Sequence, residues 1–171
     1  MKPDPSVPPP PAEAFARLGE LIKDIHFAML TTVAADGSLR SRPMGTQEVE
    51  LEHARIWFFT SIDSPKTEEI SREHEVCLAY ASPGKQKYVS VSGRATVVRN
   101  PDKARKLWTP LAKAWFPGGV EDPTLALLSV RATAAEYWDA HSSKMIQLFG
   151  LARTALTGHP ADLGENVKVD F

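Results

Sequence analysis

The run Arg55-Ile56-Trp57-Phe58-Phe59-Thr60, continued by Ser61-Ile62-Asp63-Ser64-Pro65-Lys66 and then Thr67-Glu68-Glu69-Ile70, decides how the rest of the chain is read. Its first six residues, β-branched and aromatic in the main, predict a strand. Ser64 followed by Pro65 predicts a helix start, because serine caps free backbone N–H groups and proline's fixed φ suits the first helical position. That helix runs from Pro65 to about Glu73. Its unpaired N–H groups and positive dipole end, with the Ser64 hydroxyl and the Lys66 ammonium, favour a phosphate oxygen. Taken alone, the same residues read first as a capped surface helix with a solvated lysine, since short motifs recur by chance.

Upstream, Phe27-Ala28-Met29-Leu30-Thr31-Thr32-Val33 predicts a mostly buried strand, and Asp36-Gly37 after it is a tight-hairpin signal. The returning strand, Leu39 to Val49, carries Arg40 and Arg42 on one face, because they alternate with Ser41. Two guanidiniums on one face want an anion, although an isolated hairpin also uses such charges to discourage edge pairing. Val76-Cys77-Leu78-Ala79-Tyr80-Ala81 predicts another buried strand. Tyr88 to Val98 alternates with period two around Gly93, which can bend or bulge it. Leu125 to Ala132 and Ala135 to Asp139 predict two more strands, and Lys144 to Phe149 a further pairing segment. Strands joined by short turns predict a closed antiparallel barrel.

Helices flank this β pattern. Phe15, Leu18, Leu21, Ile22 and Ile25 recur at helical spacing from Ala12 onward. Asn100-Pro101 repeats the cap-and-proline signal and predicts a helix to about Trp115, stopped by Phe116-Pro117-Gly118-Gly119. A short helix from Leu151 to Leu156 ends at Gly158, and the last residues read as frayed. Lys2 to Pro11 hold six of the fourteen prolines and predict an extended arm. The organisation is therefore an arm over 1–11, one domain over 12–160 and a tail over 161–171.

The 171 residues suffice for one domain with a real core, and 43% hydrophobic with 24% charged residues is a globular composition. A net charge of −1 gives no overall bias toward nucleic acid or an anionic membrane, so a phosphate partner must be captured locally, which favours a small ligand. Cys77 is the only cysteine; no intrachain disulfide forms, and a reducing cytosol fits. No apolar run has the length of a membrane span, and the proline-rich start lacks a signal peptide's apolar core, so the expectation is a soluble cytoplasmic protein.

The five histidines, His26, His53, His74, His141 and His159, are scattered and show no paired ligand spacing, so no metal is expected. Asp139, His141, Ser142 and Ser143 lie close in sequence, yet without a nucleophile-elbow pattern. Cys77, inside an apolar strand, reads as an inert core thiol. A β-barrel with one anion trap and several aromatics remains, a combination suited to a phosphorylated planar cofactor.

Asp36-Gly37 before Arg42-Pro43-Met44, the Phe59-Thr60 to Ser64-Pro65-Lys66 to Ile70 segment, Tyr88 to Gly93, and Glu136-Tyr137-Trp138-Asp139 occur in this order from about Leu18 to Gly158. Together they resemble the flavin-binding split-barrel proteins related to pyridoxamine-phosphate oxidase, most closely the general stress protein 26-like subgroup. The resemblance implies a mainly β, α+β fold: a six-stranded antiparallel split barrel with flanking helices, acting as a homodimer with two FMN molecules at the subunit interface. It implies that Arg42, Ser64 and Lys66 hold the FMN phosphate, that Pro43, Met44, Phe59 and Thr60 line the ribityl chain and ring, and that Trp138 approaches the flavin of the other subunit. Lys144 falls where the oxidases carry an arginine near flavin and substrate.

Against the oxidase pattern, Gln47 replaces a flavin-proximal lysine, Pro65 an arginine of the phosphate clamp, and Tyr88 a flavin-contacting glutamine. Arg40 offers a compensating cation beside Arg42. Lys144-Met145-Ile146-Gln147 lacks the arginine and histidine that hold pyridoxal phosphate. The implied function is an FMN-binding general stress protein with weak flavin-dependent oxidoreductase activity. The alternatives are a pyridoxamine-phosphate oxidase-like enzyme and a non-enzymatic flavin reservoir or sensor, with FAD or a deazaflavin as alternative cofactors. No residue is assigned as catalytic.

Overall fold

The computed structural model describes residues 11–139 and 165–170. The order is α1 (Pro11–Ile22), β1 (Phe27–Val33), β2 (Leu39–Glu50), β3 (Arg55–Ser61), α2 (Pro65–Arg72), β4 (Glu75–Ser82), β5 (Lys87–Val98), α3 (Pro101–Leu107), β6 (Leu125–Asp139) and β7 (Glu165–Asp170). Strands β3-β2-β1-β4-β5-β6 neighbour one another in that order, and β6 pairs back onto β3 from Arg55↔Arg131 to Ser61↔Leu125. Every neighbouring pair is antiparallel, so six strands close into the ring that the sequence predicts.

Alternation decides what fills the ring. Ile56 and Phe58 of β3 point inward with Ala28, Leu30, Leu78 and Val91, and α1 adds Phe15, Leu18, Leu21 and Ile22 to the same core. The outward residues Trp57 and Phe59 are not solvated, because Ala104, Leu107, Trp108 and Phe116 cover them in a second cluster. A strand apolar on both faces explains the unbroken run at Ile56–Phe59. The hairpin after β1 turns at Gly37, whose φ of +80° glycine adopts without strain.

Several expectations change. The two predicted strands at Leu125–Ala132 and Ala135–Asp139 are one strand, β6, which follows β5 from Val98↔Leu127 to Lys87↔Asp139. Along its other edge, residues 125–131 pair with β3 and residues 134–139 with β7. Of the tail predicted to fray, Glu165–Asp170 forms the strand β7. The register slips between Ser92 and Gly93, the bulge that a glycine there permits. A Cβ at Gly93 would lie 2.6 Å from the Arg131 carbonyl oxygen, so no side chain fits.

The helix predicted to reach Trp115 ends at Leu107. Pro110 disfavours helical backbone at Thr109, which is extended, and Pro110–Ala114 forms a separate 3-10 segment. Pro11, assigned to the arm, begins α1. Cys77 is no core thiol: it is only partly buried and faces outward, its sulfur 3.5 Å from Ser90 Oγ. The predicted arm residues 1–10, the pairing segment Lys144–Phe149 and the helix Leu151–Leu156 lie outside the described residues.

Candidate functional site

A cleft of about 580 Å³ opens between β2, β3 and the 3-10 segment, within the usual size range of small-molecule sites. Arg42, Pro43, Met44 and Gln47 line it from β2, Phe59 and Thr60 from β3, and Lys66 from the first turn of α2. Seven of the sequence-predicted site residues therefore meet at one cavity. From Arg42 to Gln47 the strand advances about 16 Å, at roughly 3.3 Å per residue, so the cleft is long and charged at one end.

The charged end is built from three elements. Arg42 donates through Nη2 to Glu69 Oε2 at 2.8 Å and through Nη1 to Thr32 Oγ1; the Thr32 hydroxyl in turn donates to Glu69 Oε2 at 2.6 Å. Glu69 is 5% exposed, and the Thr32 hydrogen bond, with the charges of Arg42 and Arg40, holds its carboxyl below the ordinary glutamate range despite burial. Lys66 is half-buried on the same helix. Burial, reinforced by the neighbouring Arg42 charge, lowers its pKa, with Glu69 acting in the opposite direction. Among the described residues no carboxylate comes within 4.0 Å of the Lys66 ammonium.

The other end is apolar and less charged. Phe59 meets Trp108 and Phe116 edge-on, with centroids 5.6 and 6.4 Å apart, which fixes its ring in the cleft wall. Gln47 sits where the β2–β3 register shifts and donates from Nε2 to the Gly45 carbonyl at 3.0 Å. His26, Phe27, Leu111, Ala112, Trp115 and Phe116 also line the cavity, and sequence reading missed them. The signal lay in Pro110: it separates α3 from the 3-10 segment that carries Leu111, with Trp115 just after it, both largely exposed.

Other predicted residues lie elsewhere. Ser64 precedes α2 at the N-cap position, but its hydroxyl caps nothing; it donates to the Ser61 carbonyl at 2.9 Å and does not line the cleft. Arg40 borders a separate cavity between the β1–β2 hairpin and α2, its guanidinium 3.7 Å from Glu69 Oε1. The anion that this arginine pair requires is thus partly internal. Tyr88 and Trp138 are cross-strand partners facing outward, both exposed and away from this cleft. Their face continues through Ala81, Ala79 and Met29 to Phe27. Lys144 lies outside the described residues. Among the described residues no three His, Cys, Asp or Glu side chains are grouped to hold a metal, and no helix is long and apolar enough to cross a membrane.

Comparison with known proteins agrees with this architecture. The chain is 28% identical over 157 residues to Protein bli-3 of Neurospora crassa, covering 86% of this chain and 75% of that protein. A crystal structure of the general stress FMN/FAD binding protein of Xanthomonas citri superposes with a TM-score of 0.66 at 32% identity, covering 77% of this chain and 92% of that one. A Clostridium acetobutylicum protein related to general stress protein 26, of the pyridoxinephosphate oxidase family, shares the fold with a TM-score of 0.69 at 16% identity, over 94% of this chain and 96% of that one. The sequence profile described as pyridoxamine 5'-phosphate oxidase like matches residues 13–162. With the barrel and the ordered motifs on β2, β3 and α2, this match makes the chain a member of the pyridoxamine 5'-phosphate oxidase like family.

Proposed function

We propose that this protein binds a flavin mononucleotide, with the phosphate at Arg42 and Lys66 and the ring toward Phe59 and Gln47. The observation that carries this reading is Lys66: a half-buried ammonium lining a long cleft, with no carboxylate at ion-pair distance among the described residues. A desolvated cation in such a place gains most from a ligand anion. The cleft's length suits a phosphate, a polyol chain and a planar ring in line, and its apolar wall at Pro43, Met44 and Phe59 suits the ring. The Xanthomonas relative, described as FMN/FAD binding, supports a flavin and leaves FAD as the alternative.

The flavin, when bound, supplies hydride or electron transfer. The chain's own residues bind the phosphate, orient the ring and shield it from water. Among the described residues, Arg42, Lys66 and the exposed His26 are the ionisable side chains lining the cleft, and no carboxylate lines it. That composition supports binding more directly than acid–base chemistry, so the oxidoreductase is a weak one and a flavin carrier is the second reading. The sequence at Lys144–Gln147 lacks the pyridoxal-phosphate-holding pair and argues against a vitamin oxidase.

The acting form in this proposal is a homodimer. Phe27, Met29, Tyr88 and Trp138 expose large apolar side chains on one sheet face, more than a monomer's isolated surface residues require. Trp138 of the partner subunit would then complete the flavin site.

The experiment is the visible spectrum of the purified protein, followed by identification of the released chromophore and titration of the apoprotein with FMN. Absence of a flavin band together with no uptake on titration would overturn the proposal. Trp138→Ala is expected to weaken FMN about tenfold, a stacked aromatic contact being worth roughly 0.5–1.5 kcal/mol beyond its buried area, and to leave sedimentation as a dimer unchanged. A monomer that binds FMN tightly would contradict the interfacial site.

A further inference from the structure

We infer that Glu69 is the positioning residue of the anion site: it holds one edge of the Arg42 guanidinium so that the remaining N–H groups face the cleft and a phosphate monoester. This rests on the phosphate end proposed above. Three observations carry it. Glu69 is buried, and its Oε2 collects both the Thr32 hydroxyl at 2.6 Å and Arg42 Nη2 at 2.8 Å. Thr32 also accepts from Arg42 Nη1, so the two terminal guanidinium nitrogens are tied to one side by a closed three-residue ring. Glu69 also stands three residues after Lys66, so one face of α2 presents the cleft's second cation and the carboxylate that aims the first.

A guanidinium is planar with five donors in a fixed fork, so pinning one side determines where the others point. An arginine on a strand otherwise has several rotatable bonds, and ordering it on ligand binding costs affinity. Glu69 makes that ordering a property of the fold. Arg40, 3.7 Å from the other carboxylate oxygen and more than half exposed, balances part of its charge from outside the cleft. The arrangement leaves Arg42 and Lys66 as the cations presented to a ligand, with Glu69 behind them.

The test compares FMN with riboflavin, which lacks the phosphate, by flavin-fluorescence titration of the apoprotein. Glu69→Ala is expected to reduce FMN affinity about tenfold and riboflavin affinity less than threefold. Glu69→Gln, which keeps the shape and an acceptor for Thr32 and Arg42, is expected to restore most of the loss. In an Arg42→Ala background, Glu69→Ala is expected to change the FMN-to-riboflavin ratio no further, the mark of one residue acting through the other. Equal losses for both ligands, an unchanged ratio in Glu69→Ala, or an undiminished effect without Arg42 would each overturn the assignment. If Glu69→Ala fails to fold, Thr32→Val breaks the same ring and must lower the same ratio; an unchanged ratio there overturns it. A wild-type protein that binds neither flavin defeats the underlying reading instead, whereas a phosphate preference indifferent to Glu69 defeats this inference alone.

Discussion

Removing both cleft cations, Arg42→Ala with Lys66→Ala, is expected to cut FMN affinity by at least about 100-fold while riboflavin loses less than about threefold. Each cation offers a charge-assisted hydrogen bond worth roughly 1.5–3 kcal/mol, or about 10- to 150-fold in affinity. The pair acts on one phosphate, so the two effects need not add. Desolvation strengthens the case for Lys66, because it is half-buried and unpaired among the described residues before any ligand arrives. Flavin-fluorescence titration against FMN and riboflavin provides the measurement. Parallel losses for the two ligands would mean that the cations maintain the cleft rather than read the phosphate.

Phe58→Ala is the second large effect, and it falls on stability. Phe58 is fully buried in the barrel and pairs within both β2–β3 and β3–β6, the contacts that close the ring. Truncating a buried phenylalanine costs about 3–5 kcal/mol, from lost burial and the cavity left behind. For a domain of this size that is a fall of roughly 6–20 °C in Tm. Its neighbour Phe59 points the other way, into the cleft wall, so Phe59→Ala is expected to cost proportionally more flavin affinity. Thermal unfolding of both variants decides the matter: a Phe58→Ala protein melting within about 2 °C of the parent would refute the inward assignment.

That contrast also shows what the sequence can reveal. Five of the ring strands, and β6 as two separate pieces, were legible because apolar and β-branched runs, the alternation around Arg40 and Arg42 and over Tyr88–Val98, and turn residues such as Asp36-Gly37 are local signals. The association of Arg42, Phe59, Thr60 and Lys66 was legible because β2, β3 and α2 are near in sequence and their motifs recur together. Glu69 was not. A glutamate on a short helix has no sequence mark of burial; its role depends on Thr32 and Arg42 arriving from two other strands. The expected Ser64 cap failed for a related reason, since the Ser61 carbonyl lies within reach of the same hydroxyl. The helix predicted through Trp115 overlooked Pro110, and with it the cleft wall at Leu111 and Trp115. The continuity of β6 depends on having β3 and then β7 along one edge, and β7 is remote in sequence from β3.

At the phosphate site proposed above, Lys66 would make ligand binding a proton-coupled event. Burial and Arg42 favour its neutral form while Glu69 favours the charged one, and the balance leaves its pKa below the ordinary lysine value. A phosphate beside it favours the charged form and raises the pKa again. Between those two values the complex holds a proton that the free protein does not, so binding takes one up from solution. The sign follows: affinity for FMN is fullest between the phosphate's own second pKa, about 6, and the free protein's Lys66 pKa, and it is expected to decline as pH rises through the latter, while riboflavin is expected to show no such decline. Titrations repeated in buffers of different ionisation enthalpy would register the uptake as a buffer-dependent heat, absent from Lys66→Ala.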